Sequence, residues 1–223
     1  MKKFDTPAPV TAVLNIPAGR IRFVAADRAD TVVEVLPANA DKSRDVQAAE
    51  RTEVSYADGV LRITAPEARN QILGASGSLE VTVQLPAGSR IEAKAAGADL
   101  RGVGRLGDVT FDGAQATIEL DETAAAHLTT AAGDITIGRL DGPAQITTSK
   151  GDIRITEAVR GTVVLRTQAG AISIGTAPGT SATLDAGTTH GRINNTLKNT
   201  DGADAALTIH ATTSHGDITA RSL

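Results

Sequence analysis

The side chains best suited to chemistry in this chain are acidic residues and histidines that recur beside one glycine-centred phrase. A carboxylate directly follows the phrase glycine at Asp134, Asp152 and Asp217. A column of carboxylates could bind a cation or supply the acid pair of a polysaccharide-cleaving enzyme. Alternatively, an aspartate at a turn accepts backbone N–H hydrogen bonds. We favour this structural role, because Ala171 and Arg192 interrupt the column and the calcium-binding nonapeptide pattern is absent.

Two histidines, His190 and His215, each stand directly before a phrase glycine. Neighbouring strands lie about 5 Å apart, so two imidazoles at equivalent positions could share a transition metal or titrate as a pair. Other copies carry Lys150, Ala132 and Ala169 at this position. An exposed column that tolerates substitution explains this variety more simply. We therefore predict no metal site and no cofactor.

The repeated phrase itself positions both sets of residues. Each copy is a glycine with an isoleucine two residues later, and the copies begin at Gly133, Gly151, Gly170, Gly191 and Gly216. A phrase that returns about every 18 to 25 residues is typical of a stacked-repeat fold, in which each copy forms one rung. We expect the glycine at a tight corner with positive φ, which costs other residues about 1 kcal/mol or more. Because no helix follows, we do not expect phosphate binding.

Stacking explains how such a chain buries a core. Rungs about 4.8 Å apart align equivalent apolar residues into internal ladders, and each fully buried isoleucine contributes roughly 1.5 to 3 kcal/mol. The phrase isoleucines should form one ladder: Ile135, Ile153, Ile172, Ile193 and Ile218. We interpret the longest spacing, between Gly191 and Gly216, as a surface loop inserted into one rung.

The remaining segments predict β-strands almost throughout. Asp58-Gly59 marks a hairpin, and only residues 38–50 favour a short helix. We interpret residues 1–95 as an N-terminal β-sheet or capping region and residues 96–223 as the repeated rungs, together one continuous domain. The predicted fold is all-β: a β-solenoid, or parallel β-helix-like stack, of short two-strand rungs with an N-terminal capping sheet.

Composition excludes several classes of function. The net charge is −4 and the basic residues are scattered, so nucleic-acid binding is not expected. No apolar run approaches the ~20 residues that span a bilayer, and no signal-peptide pattern follows the first residues. We therefore expect a soluble, cytoplasmic protein. The chain has no cysteine, no P-loop, no dinucleotide fingerprint and no Ser-His-Asp spacing, so we expect no catalytic residues and no enzyme activity.

Several further motifs stand in a fixed order around the glycine phrases: Phe4–Pro7, Ala25–Val35, Leu85–Ser89 and Thr213–Thr219. This order resembles the bacterial putative-adhesin β-strand-repeat family of actinobacterial type, a domain of unknown function. The resemblance covers essentially the whole chain. It implies an all-β repeat fold without an established enzymatic activity.

The leading interpretation is a non-catalytic scaffold or adhesin-like interaction protein, with a protein partner favoured over a polysaccharide. The alternative is a carbohydrate-binding or polysaccharide-active β-helix, although sugar-binding platforms normally expose aromatic rings and the rungs contain only Phe111. A left-handed helix acyltransferase is disfavoured, because its six-residue periodicity is missing. Strand edges at the ends of a solenoid invite pairing. We therefore also expect that an end-to-end homodimer could form through the C-terminal rung at Ala220–Leu223.

Overall fold

The computed structural model describes residues 1–65 and 77–223, which form an all-β fold with a short α-helix. Most strands alternate buried and exposed residues, as expected where one side of a strand faces a core. The strands are β1 (Lys2–Asp5), β2 (Thr11–Ala26), β3 (Asp30–Pro37), β4 (Glu53–Ala57), β5 (Val60–Thr64), β6 (Leu79–Pro86), β7 (Arg90–Gln115), β8 (Ile118–Ala132), β9 (Ile135–Leu140), β10 (Ala144–Lys150), β11 (Ile153–Ala158), β12 (Gly161–Ala169), β13 (Ile172–Thr176), β14 (Ala182–His190), β15 (Ile193–Thr196), β16 (Leu207–His215) and β17 (Ile218–Ser222). The helix α1 spans Ser43–Arg51, and a short 3₁₀ helix spans Gly202–Asp204.

Mostly parallel pairing arranges these strands into two stacks around one core. The long strands β2, β7 and β8 contribute to both stacks, so hydrogen bonds connect all the strands into one sheet. The first stack runs β4, β5, β2, β7, β8, β10, β12, β16, β14. The second stack runs β1, β3, β6, β2, β7, β8, β9, β11, β13, β17, β15. The predicted solenoid-like, all-β fold is confirmed.

The last two rungs stack in the reverse of their order along the chain. Strand β16 lies between β12 and β14, and β17 lies between β13 and β15. The isoleucine ladder therefore runs Ile135, Ile153, Ile172, Ile218, Ile193. The expectation that the C-terminal rung ends the stack is wrong. The long spacing between Gly191 and Gly216 is likewise not a simple inserted loop, because residues 197–206 return the chain to an inner position.

The opposite, N-terminal end of the stack is covered by elements outside the rungs. Strands β4 and β5 form the predicted hairpin, with φ of 51° at Asp58 and 77° at Gly59. The predicted helix within residues 38–50 is confirmed by α1, which packs beside β3 and β6. The rings of Phe4 and Tyr56 lie 5.6 Å apart and pack against the core. The core is therefore closed at this end.

The N-terminal region is structurally continuous with the rungs. Strand β7 runs without a break past residue 95, and it pairs with β2 over Thr11–Val24. Strand β2 thus forms a rung of its own within the region expected to be a cap. Within residues 1–65 and 77–223, no helix is both long and apolar enough to cross a membrane.

Candidate functional site

The phrase glycines line one corner of the stack. In spatial order they are Gly133, Gly151, Gly170, Gly216 and Gly191. A Cβ atom on any of them would overlap the backbone carbonyl oxygen of the neighbouring rung. At Gly151 the φ of 146° adds a second restriction, since residues with a Cβ rarely adopt it. The corner thus brings successive backbones into close contact.

The carboxylates that follow these glycines bind backbone N–H groups of the next rung. Asp134 Oδ1 accepts a hydrogen bond from the Asp152 N–H at 2.8 Å, and Asp152 Oδ1 accepts one from the Ala171 N–H at 2.7 Å. Asp217 Oδ1 accepts one from the Arg192 N–H at 2.9 Å. The acceptor therefore serves the neighbouring rung rather than its own turn. With one oxygen engaged in this way, each carboxylate contributes to stacking.

Asp217 also links the outermost rung to the C-terminal rung by charge. The backbone N–H of Arg192 and then its guanidinium donate hydrogen bonds that lower the pKa of Asp217 below its ordinary value of 3.8. A carboxyl with a lowered folded-state pKa stabilises the fold above its unfolded pKa, and the contribution is lost as the pH falls through the folded pKa. We expect the free energy of unfolding to decrease below about pH 3.8, and less steeply in Asp217→Asn.

Urea denaturation at several pH values between about 5 and 2.5 measures this difference. Arg192→Met is the matched control, because it removes the guanidinium while keeping the carboxyl. Its profile should lie between those of the wild type and Asp217→Asn, since the backbone N–H of residue 192 remains. If all three proteins lose stability with the same slope, the link is absent.

The two histidines lie on neighbouring rungs, where His190 pairs with His215 in register. Their rings stack with centroids 4.7 Å apart and planes inclined by 5°. Within residues 1–65 and 77–223, no group of three or more histidine, aspartate or glutamate side chains converges in a way that could hold a metal ion. Another histidine, His210, lies with its Nδ1 3.3 Å from Asp185 Oδ2. His190 and His215 together would supply only two of the four ligands that zinc usually takes.

A column of buried threonines lies near the same corner, and sequence reasoning missed it. Thr130, Thr148, Thr167 and Thr213 are at most 5% exposed. Each donates its hydroxyl to a backbone carbonyl, as Thr213 does to Gly170 at 3.0 Å. Every second side chain of a strand points to the same side. Thr130 and Thr148 each stand two residues after a buried apolar residue, Leu128 and Ile146, so this alternation predicts that both threonines point inward. These hydroxyls satisfy carbonyl groups that the tight turn leaves near the core.

Outward side chains of β8, β10, β12 and β16 form a surface that we call the threonine face. Its members are His127, Thr129, Gln145, Thr147, Ser149, Val164, Arg166, Gln168, His210, Thr212 and Ser214. Arg166 is its one permanently charged member. Apart from His210, these side chains make no hydrogen bond to other protein groups within the described part of the chain. Their donors and acceptors are therefore available to another molecule.

Outward side chains of the second stack behave differently, and we call the surface over β7, β8, β9 and β11 the charged face. Arginines and acidic residues alternate across its strands and pair with one another. The pairs are Arg101 with Glu119 and Asp121, and Arg139 with Asp141 and Glu157. Such exposed pairs contribute little to stability, about 0 to 1 kcal/mol each. They do, however, occupy Arg101 and Arg139, whereas Thr136 and Arg154 on the same face make no such pair within the described residues.

A shallow groove of about 380 Å³ crosses one margin of the threonine face. Thr110, His127, Gln145 and Thr162 line it together with the charged residues Arg90 and Asp108. The volume falls within the range of small-ligand sites. Apolar residues such as Val109, Pro143 and Val164 make up half of its lining, so the groove differs in character from the threonine face.

Comparison with known proteins gives a family and a shared fold. The family described as Toastrack DUF4097 matches residues 20–222. No curated protein matches the chain. A solved "putative adhesin" from Bacteroides fragilis NCTC 9343 is 14% identical, with 98% of this chain and 95% of that one covered and a TM-score of 0.57. Another from Parabacteroides distasonis ATCC 8503 is 12% identical over 98% and 95%, with a TM-score of 0.46. At this identity the likeness to the Bacteroides protein shows the fold alone.

Proposed function

This chain belongs to the Toastrack DUF4097 family, and from that premise we propose that it is a non-catalytic interaction protein that binds a protein partner through the threonine face. The expected membership of a β-repeat family of unknown function is confirmed, whereas the actinobacterial type stays a prediction. The adhesin-like role, the partner and the surface are parts of this proposal.

The observation that carries the proposal is the contrast between the two outer faces. Two arginines on the charged face, Arg101 and Arg139, are already bound by acidic neighbours, whereas Arg154 has no ion pair within the described residues. Side chains on the threonine face, such as Gln145 and Thr147, are free of protein partners within the described residues. Hydrogen bonds to a partner therefore replace only bonds to water there, with no internal pair to break. Apart from Arg166 the face is neutral, which limits the desolvation cost of buried charge to one side chain.

The rigid stack supports binding because it holds the face in place before a partner arrives. Thr129, Thr147 and Arg166 stand in register on adjacent parallel strands, about 4.8 Å apart. Strands bonded on both sides lose little freedom on association, which lowers the entropic cost of binding. A regular row of this kind suits an extended or flat partner surface.

Placement of the aromatic rings favours a protein partner over a polysaccharide. Phe23 and Phe111 are fully buried, and Phe4 and Tyr56 pack against the core at the N-terminal end. Since the sequence contains no other Phe, Tyr or Trp residue, the only rings on the threonine face are the imidazoles of His127 and His210, and no large aromatic ring is present for a sugar to stack on. Hydroxyl and amide side chains hydrogen-bond to sugars and proteins alike, so the lack of a large aromatic ring is the feature that disfavours a polysaccharide.

Site-specific photo-crosslinking in the native host tests this proposal. A benzophenone amino acid replaces Gln145 on the threonine face in one variant and Thr136 on the charged face in the matched control. We expect a protein adduct of defined mass from the Gln145 position and little from the Thr136 position. Equal adducts at both positions, or an adduct only at Thr136, would refute the assigned face. Recovery of the adduct from the cytoplasmic fraction supports the predicted location, and recovery from the cell surface contradicts it.

A further inference from the structure

The two ends of the stack differ in how well they cover the core. Ile193, on the outermost strand β15, is 46% exposed. The ladder members beneath it, Ile218 and Ile172, are 0% and 1% exposed. Ile193 occupies the same position in its rung as the other two isoleucines. It is half exposed because no rung covers it within the described residues. Leu184 and Leu197 are also only partly buried beside it.

At the N-terminal end, by contrast, the last core residues are covered. Leu61 and Ile63 on β5 are 0% and 1% exposed, and Val33 on β3 is 2% exposed. The β4 hairpin strand, β1 and α1 provide the cover. A second stack could not continue from this end without displacing these elements.

The open end also carries two strand edges that no further strand covers within the described residues, although the Ala182 N–H at the start of β14 bonds to the Lys198 carbonyl oxygen. Within the described residues, β14 pairs only with β16 and β15 pairs only with β17. Soluble proteins usually protect such edges with lysine, proline or a covering loop. The segment 182–196 contains neither lysine nor proline. Its charged residues are one acid, Asp185, and one base, Arg192, so two copies of this rung would meet without net repulsion.

We propose that a second copy of this chain binds the open end through a two-fold axis, with β14 and β15 of each copy pairing antiparallel to strands of the other. An extended peptide could satisfy one strand edge only. A second copy presents two edges at the same spacing, about 10 Å, together with the same apolar residues between them. It therefore pairs both edges and covers Ile193 in one step.

The closed N-terminal end decides between a dimer and a filament. Head-to-tail stacking would place the open end of one copy against the β4 hairpin and α1 of the next, where, among the described residues, the edges of β1 and β4 are also unpaired but the core residues are covered. Open-end to open-end contact is self-complementary and closes after two copies. The assembly is thus a dimer about twice as long as one stack, with the threonine faces of both copies uncovered. This inference does not depend on the proposed function.

Light scattering with size-exclusion chromatography measures the assembly directly. The wild type, of 22.8 kDa per chain, should elute with about twice that mass, and Ile193→Lys should elute as a monomer. The matched control is Leu36→Lys, because Leu36 is equally exposed, at 46%, but lies on β3 near the N-terminal end. The control should stay dimeric. A wild-type monomer at high protein concentration, or a dimer that survives Ile193→Lys, overturns the proposal.

A second measurement remains informative if Ile193→Lys fails to fold. The chain has no cysteine, so a single introduced cysteine carries a spin label at one known position. Pulsed electron paramagnetic resonance measures the distance between the labels of the two copies. It should give a short distance for Asn194→Cys at the open end. The same label in Glu53→Cys on β4 should give a separation above roughly 60 Å, because the two stacks lie between them. The reverse pattern, or no dipolar coupling at Asn194, contradicts the two-fold contact.

Discussion

Truncating Ile218 to alanine is expected to lower the free energy of unfolding by about 2 to 5 kcal/mol, whereas the same truncation at Ile193 should cost less than about 1 kcal/mol. Both residues occupy the same place in the glycine phrase. Ile218 is fully buried because β15 covers it, and Ile193 is 46% exposed. The loss scales with the buried area and with the cavity that remains, so the inner residue dominates.

Urea denaturation of both variants measures the difference. The comparison should be made at protein concentrations low enough for the monomer to prevail, because a dimer would bury Ile193. As the concentration rises, the cost of Ile193→Ala should grow while that of Ile218→Ala stays larger. If the stack followed the chain order, Ile193 would be the inner residue and its truncation would be the more damaging one. That result in monomeric protein would contradict the reversed order of the last two rungs.

Replacing Gly151 with valine is expected to destabilise the fold by about 3 kcal/mol or more. The φ of 146° is strained for any residue with a Cβ, and the added Cβ would overlap the carbonyl oxygen of Gly133. The overlap involves backbone at the corner between β8 and β9, and each of these strands is paired on both sides, so neither partner can move without breaking ladder hydrogen bonds. The two costs therefore add.

Gly187 provides the control for this substitution. It lies exposed on β14, and a Cβ there would meet no atom within 4 Å. Gly187→Val should change the unfolding free energy by less than about 1 kcal/mol, since valine also favours strand geometry. Thermal and urea unfolding of Gly151→Val and Gly187→Val, measured side by side, tests the predicted difference in stability. Equal effects would mean that the corner does not constrain the glycine.

Much of the fold follows from local features of the sequence. The recurrence of Gly133 and Gly151 with their isoleucines predicts stacked rungs, because equivalent residues must align for the rungs to share a core. Asp58-Gly59 predicts the hairpin, because a tight turn of this type needs positive φ at both positions. Each of these features is contained within a few neighbouring residues.

The order of the last rungs could not be predicted in this way. The phrases at Ile193 and Ile218 are nearly equivalent, so Ile172 could stack equally well on either. Parallel ladder pairing carries no information about which rung comes next in the chain. The segment of residues 197–206 is long enough to return the chain to an inner position, but its length alone also fits a surface loop.

The candidate site was predictable in part for similar reasons. An aspartate at a corner predicts a hydrogen bond to backbone, but the acceptor role of Asp134 toward Asp152 depends on the stacking of two rungs. The contrast between the two outer faces rests on which strands are neighbours. Glu157 neutralises Arg139 because their strands are adjacent and in register, which a single strand cannot show.

The central claim is that the threonine face is the binding surface. It is tested most directly by titrating the partner that crosslinking identifies against two arginine variants. Thr147→Arg places a second guanidinium beside Arg166 at the centre of the threonine face. Thr136→Arg places the same side chain on the charged face, between Glu119 and Arg154. We expect isothermal titration to show at least tenfold weaker binding for Thr147→Arg and less than twofold change for Thr136→Arg. Unchanged affinity in Thr147→Arg, with a loss in Thr136→Arg, would contradict the account.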